Sequence, residues 1–132
     1  MHLIIYTDGA CWGNPGPAAI GAVIKDQYNN SLAEISSYIG KGTNNQAEYK
    51  ALIAALKTAA ELKANQLTIF LDSELLLFQL EGKYKVRNTF LKPLYNEANS
   101  LLKLFKSYSI KYVDHHGNEA HHLAQAALKK VK

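Results

Sequence analysis

The chain has 132 residues, of which 48% are hydrophobic and 20% are charged, and this composition is typical of one folded domain. A single cysteine excludes an internal disulfide, and no apolar run reaches the roughly 20 residues of a membrane span, so we expect a cytoplasmic protein without a membrane partner. The net charge of +4, from 15 basic and 11 acidic residues, permits a polyanionic partner.

The first predicted element is a strand that leads into a carboxylate. Residues 3–6 are continuously apolar, which is typical of a strand buried on both faces. Asp8 follows where the strand is expected to stop and where a loop rich in Gly and Pro turns the chain. A carboxylate at the mouth of a buried sheet is poorly solvated and requires a partner. Asp8 is therefore the first candidate functional residue.

Two further strands are predicted at residues 19–25 and 32–39, on either side of an Asx-rich turn at 26–30. Such short loops join neighbouring antiparallel strands, so the first three strands should form a meander. The glycines of residues 40–42 interrupt the alternation, and the third strand is expected to end before them.

The next element is a long helix that Thr43 caps and that continues to about residue 63. Helical spacing aligns positions 48, 52, 55, 59 and 62 on one side, and four of these five residues are Leu or Ala. The fifth is Glu48, an acid in line with a buried stripe. It is either a first-turn glutamate that favours the helix dipole or an acid directed to a functional site.

A second acid follows a second apolar strand. A right-handed crossover from the first strand should place residues 67–71 parallel to that strand. Asp72 would then emerge beside Asp8 at the carboxyl edge of the sheet, where open α/β sheets place their sites. We therefore expect Asp8, Glu48 and Asp72 to converge.

The last part of the chain is predicted to contain three helices and one strand. Ser73 caps a short helix that ends near Leu80, a further helix begins at Asn88 or Thr89, residues 109–113 form the fifth strand, and a helix covers about 118–131. The expected fold class is α/β, with a mixed five-stranded sheet (three antiparallel strands, then two parallel) and helices on both faces. We expect a single domain over residues 1–132 and a monomeric protein.

Three converging carboxylates cannot all remain ionised in a poorly solvated site unless a cation is bound. Oxygen ligands favour Mg²⁺ or Mn²⁺, and a pair of such ions can activate a water and stabilise the leaving oxygen of a phosphodiester. The residues alone therefore predict metal-dependent phosphoryl transfer.

Five segments, in the same order along the chain, resemble the motifs of type 1 ribonuclease H. They are Tyr-Thr-Asp-Gly-Ala at 6–10, Gly-Asn-Pro-Gly-Pro at 13–17, Thr-Asn-Asn-Gln-Ala-Glu-Tyr at 43–49, Asp-Ser-Glu-Leu at 72–75 and Tyr-Lys-Val-Arg-Asn at 84–88. The resemblance implies a ribonuclease H-like fold without a separate hybrid-binding domain. It also implies hydrolysis of the RNA strand of RNA–DNA hybrids with two divalent ions, largely independent of sequence. The first three catalytic acids of the family correspond to Asp8, Glu48 and Asp72.

The last predicted helix departs from the family pattern, which resembles Asn-Glu-x-Ala-Asp-x-Leu-Ala. This chain has Asn-Glu-Ala-His-His-Leu-Ala from residue 118, so His121 stands where the fourth acid is expected. We hypothesise that His121 ligates metal; the alternatives are a polar residue at a helix start, or Asp114 as a substitute ligand. Imidazole suits Mn²⁺ better than Mg²⁺, so a preference for Mn²⁺ would follow.

The resemblance also implies substrate contacts. His115 or His116 corresponds to the loop histidine that the family uses near the scissile phosphate, or is a solvated loop residue. The family positions that contact the minor groove fall on Asn14, Asn45 and Gln46, and Thr43, Lys41 and Asn88 resemble a pocket for a phosphate of the DNA strand. Lys85 and Arg87 belong to a segment, 83–87, that offers cations for the backbone of the hybrid. Lys85 and Arg87 would look the same on an ordinary solvated surface.

Two other functions are compatible with parts of this pattern. One is a non-catalytic RNA–DNA hybrid-binding module with a degenerate fourth metal ligand, although a pure binder gains nothing from acids that repel phosphate. The other is a strand-transfer enzyme, which fits poorly because we expect no end-binding domain. Metal-dependent turnover distinguishes an enzyme from a binding module.

Overall fold

The structure is a computed structural model that describes residues 1–131. Its strands and helices follow one another along the chain in the order predicted from the sequence. They are β1 (His2–Cys11), β2 (Gly16–Asp26), β3 (Ser31–Gly42), α1 (Asn44–Glu61), β4 (Gln66–Leu71), α2 (Glu74–Leu80), α3 (Lys92–Leu102), β5 (Ser107–Tyr112) and α4 (His121–Lys129).

The five strands form one mixed sheet in the order β3-β2-β1-β4-β5. The β1–β2 and β2–β3 pairs are antiparallel, whereas β4 is parallel to both β1 and β5. The predicted fold class is confirmed. Because Tyr6 of β1 pairs with Phe70 of β4, positions 8 and 72 reach the same level at the carboxyl edge of these strands.

Helices cover both faces of the sheet. On one face, α1 packs over β1 and β2, and its apolar stripe joins the main core that includes Leu3, Ile5, Leu52 and Ile69. On the other face, α4 packs on β2 and β3 through a smaller cluster of mainly alanine side chains. Across residues 1–131 no helix is both long and apolar enough to span a membrane.

The expectation that β1 stops near Asp8 is wrong. The strand continues to Cys11, because pairing with β2 runs on to Cys11 and Ala18 before the chain turns. The expectation of burial on both faces is also wrong. Leu3 and Ile5 are fully buried under α1, whereas Ile4 and Tyr6 are only half-buried, because α4 covers the other end of the strand.

Other predicted boundaries also differ from the structure: β2 starts at Gly16 instead of residue 19, and β5 spans Ser107–Tyr112 instead of 109–113, because pairing with the neighbouring strands extends to these residues. The strand β3 runs through the glycines to Gly42, because Gly40 takes a positive φ of 87° where β2 and β3 shift register. The helix α3 starts at Lys92, since the Asn88 side chain first accepts the N–H groups of the next turn. The helix α4 starts at His121, since residues 118–120 form a separate turn that the side chain of Asn118 holds.

Candidate active site

Asp8 lies near the end of β1, level with Gly21 of β2. Its Oδ1 accepts a hydrogen bond from the N–H of Gly9 at 2.9 Å, and its Oδ2 lies 2.8 Å from Nδ1 of His121. Only 3% of the residue is exposed, so these contacts replace most of the water that would otherwise solvate the carboxylate. Asp8 is therefore the buried centre of the candidate site.

Glu48 reaches the same place from α1, because β1 has a glycine where the helix crosses it. A Cβ on Gly9 would lie 2.6 Å from the backbone nitrogen of Glu48, which is closer than side chains tolerate. The N–H of Gly9 donates to Oε1 of Glu48 at 3.2 Å, whereas Oε2 has no hydrogen-bond partner among residues 1–131. Burial, followed by the charges of Asp8 and Asp72, raises the pKa of Glu48 well above its usual range.

Asp72 directly follows β4, as the sequence predicts. Burial, followed by the negative charge of Asp8, raises the pKa of Asp72 to about 6. A hydrogen bond from the side chain of Asn118 acts in the opposite direction and lowers this pKa, because it favours the ionised carboxylate. Two neighbouring acids of the site thus have raised pKa values.

His121 is the first residue of α4 and enters from the opposite face of the sheet. Here too a glycine allows the approach: a Cβ on Gly21 would lie 2.6 Å from the carbonyl oxygen of Ala120 and the nitrogen of Ala124. The side chain of His121 is 40% exposed, whereas Asp8 is buried. His121 therefore lies on the solvent-facing side of the site.

One ligand atom each from Asp8, Asp72 and His121 lies within 4.8 Å of the others. This donor set of two carboxylates and an imidazole suits a divalent cation such as Mg²⁺ or Mn²⁺. The unpartnered Oε2 of Glu48 and the raised pKa values of Glu48 and Asp72 indicate that the site favours added positive charge. The residues present therefore fit a divalent metal ion.

The loop histidines lie beside this cluster. The rings of His115 and His116 are 4.1 Å apart between centroids, and the ring of His115 is 5.8 Å from that of His121. All three line a cleft of about 670 Å³ that also contains Lys25 and Glu34. The structure thus places both candidate loop histidines at the mouth of the site.

Five of the eight predicted substrate contacts meet in one smaller cleft. It has a volume of about 180 Å³. Its lining consists of Asn14, Thr43, Asn45, Gln46, Asn88, Phe90 and Leu91. The other three predicted contacts do not line it: Lys41 is exposed near the end of β3, and Lys85 and Arg87 line a separate cleft of about 700 Å³.

Asp114, the alternative ligand, and the nearby acid Glu119 both contact groups outside the site. The Oδ1 of Asp114 accepts the N–H of Gly117 at 2.9 Å within its own loop. Glu119, two residues before His121, forms an ion pair with Lys25 of β2. Of the three, the structure brings only His121 into contact with Asp8.

Sequence reasoning missed Asn118 as a residue of the site. It treated this asparagine only as the start of the last helix, yet the side chain is buried and contacts both β1 and Asp72. The sequence does contain a signal for this position. Asparagine often accepts backbone N–H groups at the start of a helix, and Asn118 stands three positions before His121, where α4 begins.

Comparison with known proteins finds relatives that cover most of the chain. A family model described as "Reverse transcriptase-like" matches residues 6–127. The bifunctional protein Rv2228c of Mycobacterium tuberculosis is 40% identical over 114 residues, which are 86% of this chain and 31% of that protein. This chain therefore spans less than a third of that relative.

Two solved structures cover nearly the full chain. The crystal structure of RNase H1 from the halophilic archaeon Halobacterium salinarum has a TM-score of 0.95 at 40% identity, covering 98% of this chain and 99% of that one. LC11-RNase H1 in complex with an RNA/DNA hybrid has a TM-score of 0.90 at 37% identity, covering 98% of each chain.

The sheet order, together with acids from β1, α1 and β4 at one edge, defines a ribonuclease H-like protein. Within this class the chain belongs to the type 1 ribonuclease H family, whose members depend on divalent metal ions. The resemblance found in the sequence motifs is thereby confirmed.

Proposed function

We propose that this chain is an endoribonuclease that hydrolyses the RNA strand of RNA–DNA hybrids, largely independent of sequence. The observation that carries the proposal is the cluster of Asp8, Asp72 and His121 within 4.8 Å, beside the buried Glu48, in a chain of this family. The solved complex of LC11-RNase H1 with an RNA/DNA hybrid supports the same class of substrate.

Four residues would hold the metal, as two Mg²⁺ or Mn²⁺ ions: Asp8, Glu48, Asp72 and His121. Such ions supply activation of water and stabilisation of the leaving oxygen. Asp8 contributes a carboxylate that the N–H of Gly9 keeps in place, and Glu48 contributes an oxygen that has no other partner among the described residues. His121 contributes a neutral donor instead of a negative charge, so we expect Mn²⁺ to support more activity than Mg²⁺.

The small cleft would recognise the hybrid with hydrogen-bond donors. Asn14, Gln46 and Asn88 each use the side-chain oxygen to accept a backbone N–H of the protein. Their NH₂ groups have no partner among residues 1–131 and are available in the cleft that they line. Donors oriented in this way suit the oxygens of phosphates and of 2′-hydroxyls in the minor groove. Thr43 and Asn45 complete this surface.

The remaining predicted residues would act on the phosphate backbone. Lys41, Lys85 and Arg87 would neutralise phosphates outside the small cleft. His115 or His116 would move a proton near the scissile phosphate or assist product release. Single replacements, His115→Ala and His116→Ala, should identify the active one by a lower kcat in hybrid cleavage.

We further propose a monomeric cytoplasmic enzyme formed by one domain over residues 1–132. The single cysteine, Cys11, suits a reducing compartment, because its thiol contacts backbone carbonyl groups and has no cysteine partner. Gel filtration of the purified protein tests the monomer.

The decisive experiment is cleavage of an end-labelled RNA–DNA hybrid in Mg²⁺ and separately in Mn²⁺, by the wild type and by Asp8→Asn. The proposal requires cuts in the RNA strand alone, and their loss in Asp8→Asn. RNA and DNA duplexes of the same sequence are the controls. Hybrid binding without cleavage in either ion would instead support the non-catalytic binding module.

A further inference from the structure

The side chain of Asn118 links three of the elements that carry the candidate metal ligands. The residue is 4% exposed, and it lies in the turn between β5 and α4. Its Nδ2 donates to the carbonyl oxygen of Thr7 at 2.8 Å, which fixes the turn to the residue before Asp8. Hydrogen bonding by its side chain also favours the ionised carboxylate of Asp72 and lowers the pKa of that group.

The third contact of Asn118 sets the start of α4. Its Oδ1 accepts the N–H of Ala120 at 3.0 Å, directly before His121. An asparagine amide has two N–H donors and one acceptor oxygen. Because one N–H group donates to the carbonyl of Thr7 and the oxygen accepts from Ala120, the second N–H group is the donor that can serve the carboxylate of Asp72.

We propose that Asn118 is a positioning residue of the metal site, which orients Asp72 and sets the distance between the β1 end and His121. The inference rests on the proposed function, because it concerns the same four ligands. Buried polar groups that orient metal ligands commonly change metal affinity by 10- to 100-fold when they are removed. Asn118 does not itself have to touch metal or substrate.

A neighbouring contact separates this role from simple anchoring of the turn. Glu119 also holds residues 118–120 to the sheet, through its ion pair with Lys25 and a hydrogen bond with Tyr6. No hydrogen bond or ion pair joins Glu119 to Asp8, Asp72 or His121 in the described part of the chain. A change at Glu119 therefore loosens the turn without altering the hydrogen bonding of a ligand.

The test compares Asn118→Ser with Glu119→Gln and Tyr49→Phe. Serine keeps an oxygen that can accept the N–H of Ala120, but its short hydroxyl cannot reach both Thr7 and Asp72. Tyr49→Phe removes the buried 2.6 Å hydrogen bond to Gln79, in which none of the four proposed ligands takes part, and controls for a general loss of stability.

The first readout is the binding of Mn²⁺ alone, which is measured from the electron paramagnetic resonance signal of the free ion. The measurement is made at a temperature well below the unfolding midpoint of each variant. We expect the Kd for Mn²⁺ to rise at least tenfold in Asn118→Ser and less than threefold in both controls. The second readout is hybrid cleavage, where high Mn²⁺ should restore much of the kcat of Asn118→Ser.

The outcomes separate the two proposals. Unchanged Mn²⁺ affinity in Asn118→Ser, or an equal loss in Glu119→Gln, would overturn the positioning role and leave the proposed function intact. A wild type that binds no Mn²⁺ and cuts no hybrid would remove the basis of both.

Discussion

Replacing His121 with aspartate tests the most unusual feature of the site. Both Nδ1 of histidine and Oδ1 of aspartate lie two bonds from Cβ. An aspartate at position 121 can therefore place an oxygen where Nδ1 now lies, 2.8 Å from Oδ2 of Asp8, without movement of the backbone. The replacement changes the charge of the site with little change in its geometry.

For the new carboxylate and Asp72, the magnitude follows from the 4.8 Å within which the ligand atoms of the cluster lie. Two unit charges at this separation interact by about 3.5 kcal/mol at an effective dielectric constant of about 20. Because the side chain at position 121 is 40% exposed, solvent should reduce this to about 1 kcal/mol. Without metal, His121→Asp should thus unfold about 3–6 °C below the wild type.

With metal present the same charge should have the opposite effect. We expect the Kd for Mg²⁺ to fall at least tenfold, which corresponds to about 1.4 kcal/mol. Hybrid cleavage in Mg²⁺ should rise, and the ratio of the rate in Mn²⁺ to the rate in Mg²⁺ should fall. Thermal unfolding with and without Mg²⁺ and cleavage assays in each ion measure these changes.

The matched control is His122→Asp, which makes the same change of charge at the adjacent, exposed residue. It should alter neither the Mg²⁺ affinity nor the ratio between the two ions. If both variants responded alike, the effect would be one of overall charge. If His121→Asp left the response to Mg²⁺ unchanged, the assignment of position 121 as a ligand would be refuted.

Three further predictions concern the surroundings of the site. Gly21→Ala should destabilise the protein by about 1–3 kcal/mol and reduce cleavage, because the added Cβ displaces the start of α4; denaturant unfolding that matches the wild type would contradict this. The folded pKa of Asp72 is about 6 against 3.8 in a free side chain, so the metal-free stability should fall as pH rises from about 4 to 6, and Asp72→Asn should weaken this dependence in thermal scans. The double replacement of Lys85 and Arg87 by alanine should raise KM and leave kcat unchanged. The slope of the logarithm of the hybrid-binding constant against the logarithm of the salt concentration should become shallower by about 1 to 2, and an unchanged slope would exclude phosphate contact.

The convergence of three acids could be predicted because each acid breaks a regular pattern. Glu48 stands in the apolar stripe of a helix, and Asp72 directly follows an apolar strand. Helical periodicity and the handedness of the crossover are local rules that relate such residues to the fold. They hold here, since Glu48 is buried and Asp72 lies level with Asp8.

What could not be predicted depends on contacts between distant segments. The extension of β1 to Cys11 results from pairing with β2, and Gly9 and Ala10 have no intrinsic strand preference that would indicate it. Likewise, the role of Asn118 depends on the carbonyl of Thr7, which is 111 residues away in the chain. The pattern of residues within one segment cannot predict a contact between two segments that lie so far apart in the chain.

The two glycines, Gly9 and Gly21, lie diagonally on adjacent strands and face helices on opposite sides of the sheet. At these two positions only the backbone of the sheet separates the helices on its two faces. Side chains from both helices can therefore reach the same edge of the sheet. A side chain that reaches the site from one helix can therefore be replaced without rebuilding the other layer. The candidate site therefore depends on two positions that contribute no functional side chain. A methyl group at either position would push the adjacent helix away from the sheet.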